Sequence, residues 1–422
     1  MIRSLRYSAV LGLLLAAACQ NDELITPYAN QPVDPLFDRY VALGNSITAG
    51  FQSAGINDST QNQSYAVLLA HAMRSPFWSP LFTKPGCPAP YDSLFAKTGA
   101  PVPHRLNPQL PAPGCALRTT PPSPPPFISN VAVPGARVID TYDNTTNPTS
   151  PQLNTFILGG MTQVQAMRRA GATFVTVWIG NNDVLGAVLD TANSGNPAEV
   201  TDTTLFKTQY GNLLDSLQAA GITKAVLIGV ANVTLIPYLV RGSKFFNVAY
   251  GTDSIPGPNA ANKKFPPNFL VNPNCAPPAG DSVFVPYPRG AALVALARVQ
   301  PALTLGVDCS DVHHISRAEF LNMVAAVTSY NTYIAAQATT RGYVFIDPNQ
   351  LFAALPAGAI PAFPNVPAAG NTPAFPAAYS APFGAFFSFD GVHPSAAAHK
   401  LIAQTLVPII NTAYGTAIPP IP

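Results

Sequence analysis

Between residues 39 and 348 short apolar runs alternate with segments of helical spacing, and this alternation leaves few folds open to the chain. "RYVALG" at 39–44 is the first strand candidate, and "SYAVLLAHAM" at 64–73 follows with helical spacing. "FISNVAVPGARV", "ATFVTVWIG", "KAVLIGVANV" and "GYVFIDP" are the next apolar runs; "MTQVQAMRRA", "TLFKTQYGNLLDSLQAAG" and "ISRAEFLNMVAAVTSYNTYIAAQATT" are the helices between them. Strand and helix in that succession imply parallel pairing with right-handed crossovers. The pattern predicts an α/β fold on a central parallel sheet of about five strands. "HPSAAAHKLIAQTLVPIINTAY" reads as a closing helix with Pro394 in its first turn.

Proline interrupts the rhythm. Residues 76–126, with "TTPPSPPPF", form neither interior helix nor central strand. Residues 241–310, with proline, asparagine and short aromatic runs, and residues 353–386, nearly uncharged alanine, proline and phenylalanine, read as two further insertions. Roughly 200 residues of regular core remain, so residues 37–415 read as one elaborated domain. Charged residues are 10% of the chain against 48% hydrophobic, and the net charge is +2, which leaves no electrostatic footprint for nucleic acid.

At the amino terminus Arg3 and Arg6 precede an apolar run from Ala9 to Ala18. That run is about half the length that spans a bilayer, so residues 1–18 read as a signal peptide. Ala16 to Ala18 lead into Cys19, a junction that resembles the lipobox of bacterial lipoproteins, with Ala16 where leucine is usual. The resemblance implies lipidation at Cys19 and a polar, proline-spotted tether over 19–36. With Gln20 following, it implies anchoring in the outer membrane of a Gram-negative bacterium; periplasmic or secreted placement are the alternatives.

Four cysteines remain: Cys87, Cys115, Cys275 and Cys309. They allow three pairings, and export permits disulfides. Sequence order makes Cys87 with Cys115 and Cys275 with Cys309 the simplest, since each would close a proline-rich loop. No C-x-x-C or zinc-like spacing supports a thiolate metal site. His313 and His314, with Asp308 and Asp311 nearby, suggest a metal, but "DVHHIS" leads into a helix where aspartate and serine serve as caps. His399, in the closing helix, reads as a packing or surface residue.

Three polar clusters fall at the carboxyl ends of predicted core segments: Ser46, "GNND" at 180–183, and "DGVH" at 390–393. Open α/β sheets gather their sites at that edge. A serine becomes a nucleophile when a histidine accepts its proton, and a carboxylate fixes that histidine's tautomer. Asp390 and His393, three apart, suit such a pair. The developing oxyanion needs preorganised donors, which the amides of Ser46 and Gly135 and the Asn182 side chain can supply. Each residue also has a plainer reading: Ser46 as turn or cap, Gly135 as a type II turn glycine, Asn181 and Asn182 as turn formers, Asp183 as a cap or loop acceptor.

"GNSITAG", "NVAVPGA", "GNND" and "DGVHPS", in that order, resemble the four signature blocks of the GDSL or SGNH hydrolase family. The resemblance implies a three-layer, flavodoxin-like sheet of five parallel strands, with ester hydrolysis through an acyl-enzyme. It assigns Ser46 as nucleophile, His393 as base, Asp390 as its orienting carboxylate, and Ser46, Gly135 and Asn182 as oxyanion donors. Asn45 departs from the aspartate usual before the serine. No G-x-S-x-G elbow or H-E-x-x-H is present. The expected partner is a small-molecule, lipid or acylated-glycan ester, met by a monomer that needs no cofactor or metal. "PPNFLVNP" and the phenylalanine-rich 362–387 are candidate borders of an acyl groove. The rival reading is a non-catalytic surface binding lipoprotein that retains the fold.

Overall fold

A computed structural model of the chain describes residues 31–93, 104–105, 127–145, 151–254, 264–355, 359–360 and 383–422. The leader, Cys19, Cys115, and most of the insertions at 76–126 and 353–386 lie outside these residues.

The central sheet has four strands, β1 (Tyr40–Gly44), β2 (Phe174–Trp178), β3 (Ala225–Ile228) and β4 (Val344–Ile346), all parallel and in that order. Alternate side chains enter opposite cores: Val41, Leu43, Val175 and Val177 on one face, Tyr40, Ala42, Phe174 and Trp178 on the other. Burial on both faces is why these strands are continuous apolar runs rather than alternating ones.

Helices that flank the sheet, the site or the 241–310 insertion are α1 (Ser46–Ala49), α2 (Tyr65–Met73), α3 (Gln163–Ala170), α4 (Asn182–Leu189), α5 (Thr203–Ala219), α6 (Gly242–Tyr250), α7 (Tyr287–Val299), α8 (Arg317–Arg341) and α9 (Ala396–Tyr414). Leu69 of α2 and Leu406 of α9 join the Tyr40 core, whereas Met167 of α3, Leu213 of α5 and Ile334 of α8 join the opposite one. Helices therefore cover both faces of the sheet. Their ends follow local chemistry: Ser64, Thr162, Asp202 and Ser316 accept the first amides of α2, α3, α5 and α8, and Gly171, Gly342 and Gly415 close α3, α8 and α9 in the left-handed conformation.

Three expectations need correction. The expected fifth strand at 127–138 is an edge segment bridged to β1 only at Asn130. Ala42 N donates to Ser129 O (2.9 Å), and Val131 N and Val133 N donate to Ala42 O (3.0 Å) and Gly44 O (3.2 Å). The ladder stops because the Gly44 amide, which would continue it onto Val131 O, is taken instead by Gln163 Oε1 (2.9 Å). The insertion at 241–310 is also far more regular than its composition suggests: it holds α6, α7, the antiparallel pair Leu239–Arg241 with Phe284–Pro286, and the parallel pair Phe269–Val271 with Leu305–Val307. Proline concealed α7, whose Pro288 sits in the first turn, where a missing N–H costs nothing. Finally, α9 starts at Ala396 with Ser395 as its cap, so Pro394 precedes the helix instead of opening it.

Cys275 and Cys309 form a disulfide (Cα–Cα 5.3 Å) that ties the loop after Phe269–Val271 to the segment after Leu305–Val307. Cys87 is disulfide-bonded as well. Beyond residue 415 the chain still packs: Ile418 is buried and its amide donates to Asn411 Oδ1 (2.8 Å).

Candidate catalytic site

β1 delivers Ser46 to the sheet's carboxyl edge by a close approach that only glycine permits. A Cβ on Gly44 would lie 2.2 Å from Thr48 Oγ1 and 2.7 Å from Trp178 O. The fully buried Gln163 of α3 clamps both polar groups of Gly44, accepting its N–H (2.9 Å) and donating to its carbonyl (2.8 Å). Asn45 caps α1 by accepting the Ile47 amide (3.1 Å), so asparagine supplies the oxygen that an aspartate would offer there. Asn130 Nδ2 donates to Thr48 O (2.9 Å) and holds the same short helix from the edge segment. Ser46 is thereby fixed as the first residue of α1.

His393 Nε2 lies 2.8 Å from Ser46 Oγ, and His393 Nδ1 lies 2.8 Å from Asp390 Oδ2. With the Nδ1 proton donated to the carboxylate, Nε2 is left as acceptor for the serine hydroxyl. Phe51 packs against the imidazole at a centroid distance of 4.9 Å. Asp390 is buried, which by itself would raise its pKa, but the charge of His393 and a set of donated hydrogen bonds outweigh burial and hold it at about 2. Oδ1 accepts the amides of Val392 (2.9 Å) and His393 (2.8 Å) and the Ser388 hydroxyl (3.0 Å); Oδ2 accepts the Ala54 amide (2.7 Å). The carboxylate is thus fixed in orientation and in charge.

Gly135 and Asn182 line the same cavity as Ser46, Asp390 and His393, a space of about 510 Å³. Gly135 has φ +83°, in the left-handed region that suits glycine, as it turns the chain into this wall. Asn182 opens α4 and donates one Nδ2 proton to Ala136 O (2.9 Å), leaving the amide's second proton for the cavity. The remaining wall is aromatic and apolar, with Phe51, Tyr91, Tyr238, Tyr287, Phe383 and Phe389. All five sequence-assigned residues therefore meet in one place, at the switch point where the chain leaves β1 for the edge segment and returns to β2.

Asp183, next to Asn182, is a buried loop acceptor: Oδ2 takes the Val138 amide (3.0 Å) and Oδ1 the Thr201 hydroxyl (2.9 Å). Burial pushes its pKa up to about 7 from 3.8, against the lowering effects of those two bonds and of Arg137. The folded protein keeps a proton that the unfolded chain releases above pH 3.8, so this group's contribution is complete below that pH and falls as pH rises to about 7. The decline is about 4 kcal/mol. Asp183→Asn, which is neutral at every pH and can keep its oxygen on the Val138 amide while its NH2 faces the rotatable Thr201 hydroxyl, is expected to flatten this part of the stability–pH curve; urea midpoints measured from pH 4 to 8 check it. An unchanged slope in the variant would remove Asp183 as its source.

His313 and His314 turn to different partners, Nδ1 of the first to Asp311 Oδ1 (2.5 Å) and Nδ1 of the second to Asp308 O (2.8 Å). Arg289 completes the first group through Asp311 Oδ2 (2.6 Å). His399 is fully buried and accepts the Tyr65 amide at Nδ1 (3.3 Å); burial drives its pKa down to about 3, with the nearby His393 adding to the drop. It is a packing residue.

Several supports of the site carry no sequence motif. Ser53 and Ala54 both adopt positive φ (+54° and +53°), a costly pair that is held by the Ser53 amide on Ser388 Oγ (2.8 Å) and the Ala54 amide on Asp390. Arg105 braces the same loop through Ala54 O (2.8 Å). Of these, Ser388 lies two residues before Asp390 and Ser53 three after the GNSITAG block, whereas Arg105 lies far from any block. A comparison of the sequence with protein-family models gives no match, and none of the curated proteins matches it.

Proposed function

We propose that this chain hydrolyses carboxylic esters through a Ser-His-Asp acyl-enzyme mechanism, as a member of the SGNH hydrolases with their flavodoxin-like, three-layer fold. The observation that carries the reading is the continuous relay of two 2.8 Å contacts, Asp390 to His393 and His393 to Ser46, at the wall of an aromatic cavity. The order of the four sequence blocks supports it, as does the edge segment beside β1, which stands where the family's additional strand would be.

His393 Nε2 takes the proton of Ser46 Oγ as the oxygen attacks the ester carbonyl, whose π electrons move to its oxygen. The Ser46 amide, first in α1 and without an intrahelical acceptor, and the second Asn182 proton face that oxyanion. Gly135 is assigned beside them on the motif resemblance. Collapse breaks the bond to the alkoxy group, which leaves as alcohol with the proton from His393. Water then gives a proton to His393 and attacks the acyl-enzyme; the acid departs as Ser46 regains its proton. Asp390 stays ionised throughout, and the chemistry calls for no metal or organic cofactor.

The aromatic wall favours lipidic or aryl esters within the wider class of small-molecule, lipid and acylated-glycan esters. Export, lipidation at Cys19 and outer-membrane anchoring, with periplasmic or secreted placement as alternatives, belong to the same proposal. The rival, a binding lipoprotein without catalysis, needs Ser46 and His393 out of reach of each other, and a 2.8 Å contact speaks against it. A fluorophosphonate probe tests the reading directly. One adduct per chain, on the peptide containing Ser46, is expected by mass spectrometry; a folded protein that takes no label, or takes it elsewhere, rules out Ser46 as nucleophile.

A further inference from the structure

Beside the catalytic cavity a second pocket, of about 280 Å³, opens to solvent, and the same elements wall both. Tyr238 and Pro288 line the two spaces together. At the end of α4 Leu189 lines the first and Asp190 the second; on α7 Ala291 lines the first and Ala292 the second. The shared ridge is tied to the catalytic turn, since the Tyr287 amide donates to Tyr238 O (2.7 Å) and the Tyr238 amide donates to Gly391 O (3.0 Å). Asn182 and Asp190 stand at opposite ends of α4, about 12 Å apart at a rise of about 1.5 Å per residue. One substrate with its carbonyl at Ser46 can therefore reach the second pocket.

The two spaces differ in chemistry. Aromatic rings wall the catalytic cavity, whereas the second pocket joins an apolar side, Pro286, Pro288 and Leu293, to a polar one, Thr191, Arg289 and His313. Asp311 holds each of the last two by one atom, Arg289 by Nη2 (2.6 Å) and His313 by Nδ1 (2.5 Å). Nη1 of the guanidinium is then the donor, and Nε2 of the neutral imidazole the acceptor, left to a ligand; the two side chains are 32% and 37% exposed. A hydroxyl group both gives and takes a hydrogen bond, so this wall suits it. An anion would meet a guanidinium already neutralised by Asp311, with the Asp190 carboxylate on the same wall. A cation would meet Arg289, and the Asp190 oxygens are already taken by the amides of Ala192 (2.9 Å) and Asn193 (3.1 Å) and by Asn196 Nδ2 (3.2 Å).

We infer that this pocket is a second substrate subsite, which seats an uncharged, hydroxyl-bearing arm of the ester, a sugar or polyol, while the acyl or aryl group occupies the aromatic cavity. The inference rests on the ester-hydrolase reading and adds to it the nature of the alcohol. With about 12 Å to cover, that arm is longer than a single sugar ring.

Binding to the Ser46→Ala protein tests this without turnover. In calorimetric titrations sucrose monobenzoate should bind at least tenfold more tightly than methyl benzoate. Lactobionic acid monobenzoate, an anionic counterpart, should bind at least threefold more weakly than the sucrose ester. Ala292→Trp and Thr191→Phe fill the pocket from two different elements, at exposed positions where the melting temperature should hardly move. Each should erase the advantage of the sucrose ester and leave the binding of methyl benzoate unchanged. Equal binding of the two neutral esters, binding of neither, an advantage that survives both substitutions, or a lactobionate ester bound as tightly as the sucrose ester overturns the subsite. A chain that shows the expected binding, yet takes no fluorophosphonate at Ser46 as wild type, keeps the subsite and loses the hydrolase reading.

Discussion

Ser46→Ala and His393→Ala are each expected to lower hydrolysis of p-nitrophenyl esters by about four to six orders of magnitude, with little change in melting temperature. The size of the loss follows from how the groups act. Ser46 Oγ is the attacking atom and His393 Nε2, 2.8 Å away, is the base in reach of it, so removing either stops the same step. For that reason the double variant should be no worse than either single one, a non-additivity that independent contributions to substrate binding would not produce. Some turnover above that of water should survive, because the Ser46 amide and Asn182 remain in place. Neither substitution opens a large cavity or strands a buried charge: serine to alanine removes one oxygen, and Asp390 keeps the amides of Ala54, Val392 and His393 when the imidazole is lost. The test is kcat/KM for wild type, both single variants and the double variant on acyl chains from acetate to palmitate, with circular dichroism to show folding. Equal rates in all four folded proteins would end the hydrolase reading for simple esters.

How far the sequence announced this arrangement depended on whether the controlling interactions are local. β1, β2 and β3 are legible because strands buried on both faces must be apolar throughout, β4 because its three residues are apolar although half-buried, and α2, α3, α5 and α8 because their caps and spacing lie within each segment. The site was legible for a related reason. Ser46, Gly135, Asn182 and Asp390 with His393 sit in short blocks at strand ends, and a parallel sheet brings such ends to one edge. What stayed hidden is controlled from a distance. Gln163 looks like an ordinary first residue of a capped helix, yet its side chain spans 119 residues of sequence to clamp Gly44. Ser53 and Ala54 have no sequence bias toward positive φ, and acquire it through bonds to Ser388 and Asp390 more than 330 residues away. The 241–310 insertion misled for the opposite reason: proline marked its turns correctly, but the same proline is welcome in the first turn of α7. The edge segment at 129–133 has the apolar pattern of a strand and fails to become one because a distant side chain, Gln163, takes the Gly44 amide that would extend its pairing.

Asp390→Asn is expected to cost about four orders of magnitude in turnover near pH 7, although it changes a single atom. The reason lies in which way the amide must face. Three donors converge on Oδ1, from Val392 N, His393 N and Ser388 Oγ, so the asparagine oxygen must occupy that position. Its NH2 then replaces Oδ2, where it faces the Ala54 amide and His393 Nδ1. Facing a donor, His393 must accept at Nδ1 and carry its proton on Nε2, toward Ser46, where it can no longer act as base. The Ala54 N–H loses its acceptor in a loop already held at positive φ, so a stability loss of about 1–3 kcal/mol accompanies the loss of rate. Two measurements separate these effects. Turnover of p-nitrophenyl butyrate reports the tautomer. Urea midpoints against pH report the charge: in wild type the carboxylate, held at about 2 against 3.8 in the unfolded chain, adds stability above pH 3.8 that is lost as pH falls toward 2. That acid loss should be absent from the variant. If Asp390→Asn turned over within tenfold of wild type while losing the acid-sensitive stability, Asp390 would be a structural anchor for the 53–54 loop and another group would have to orient His393.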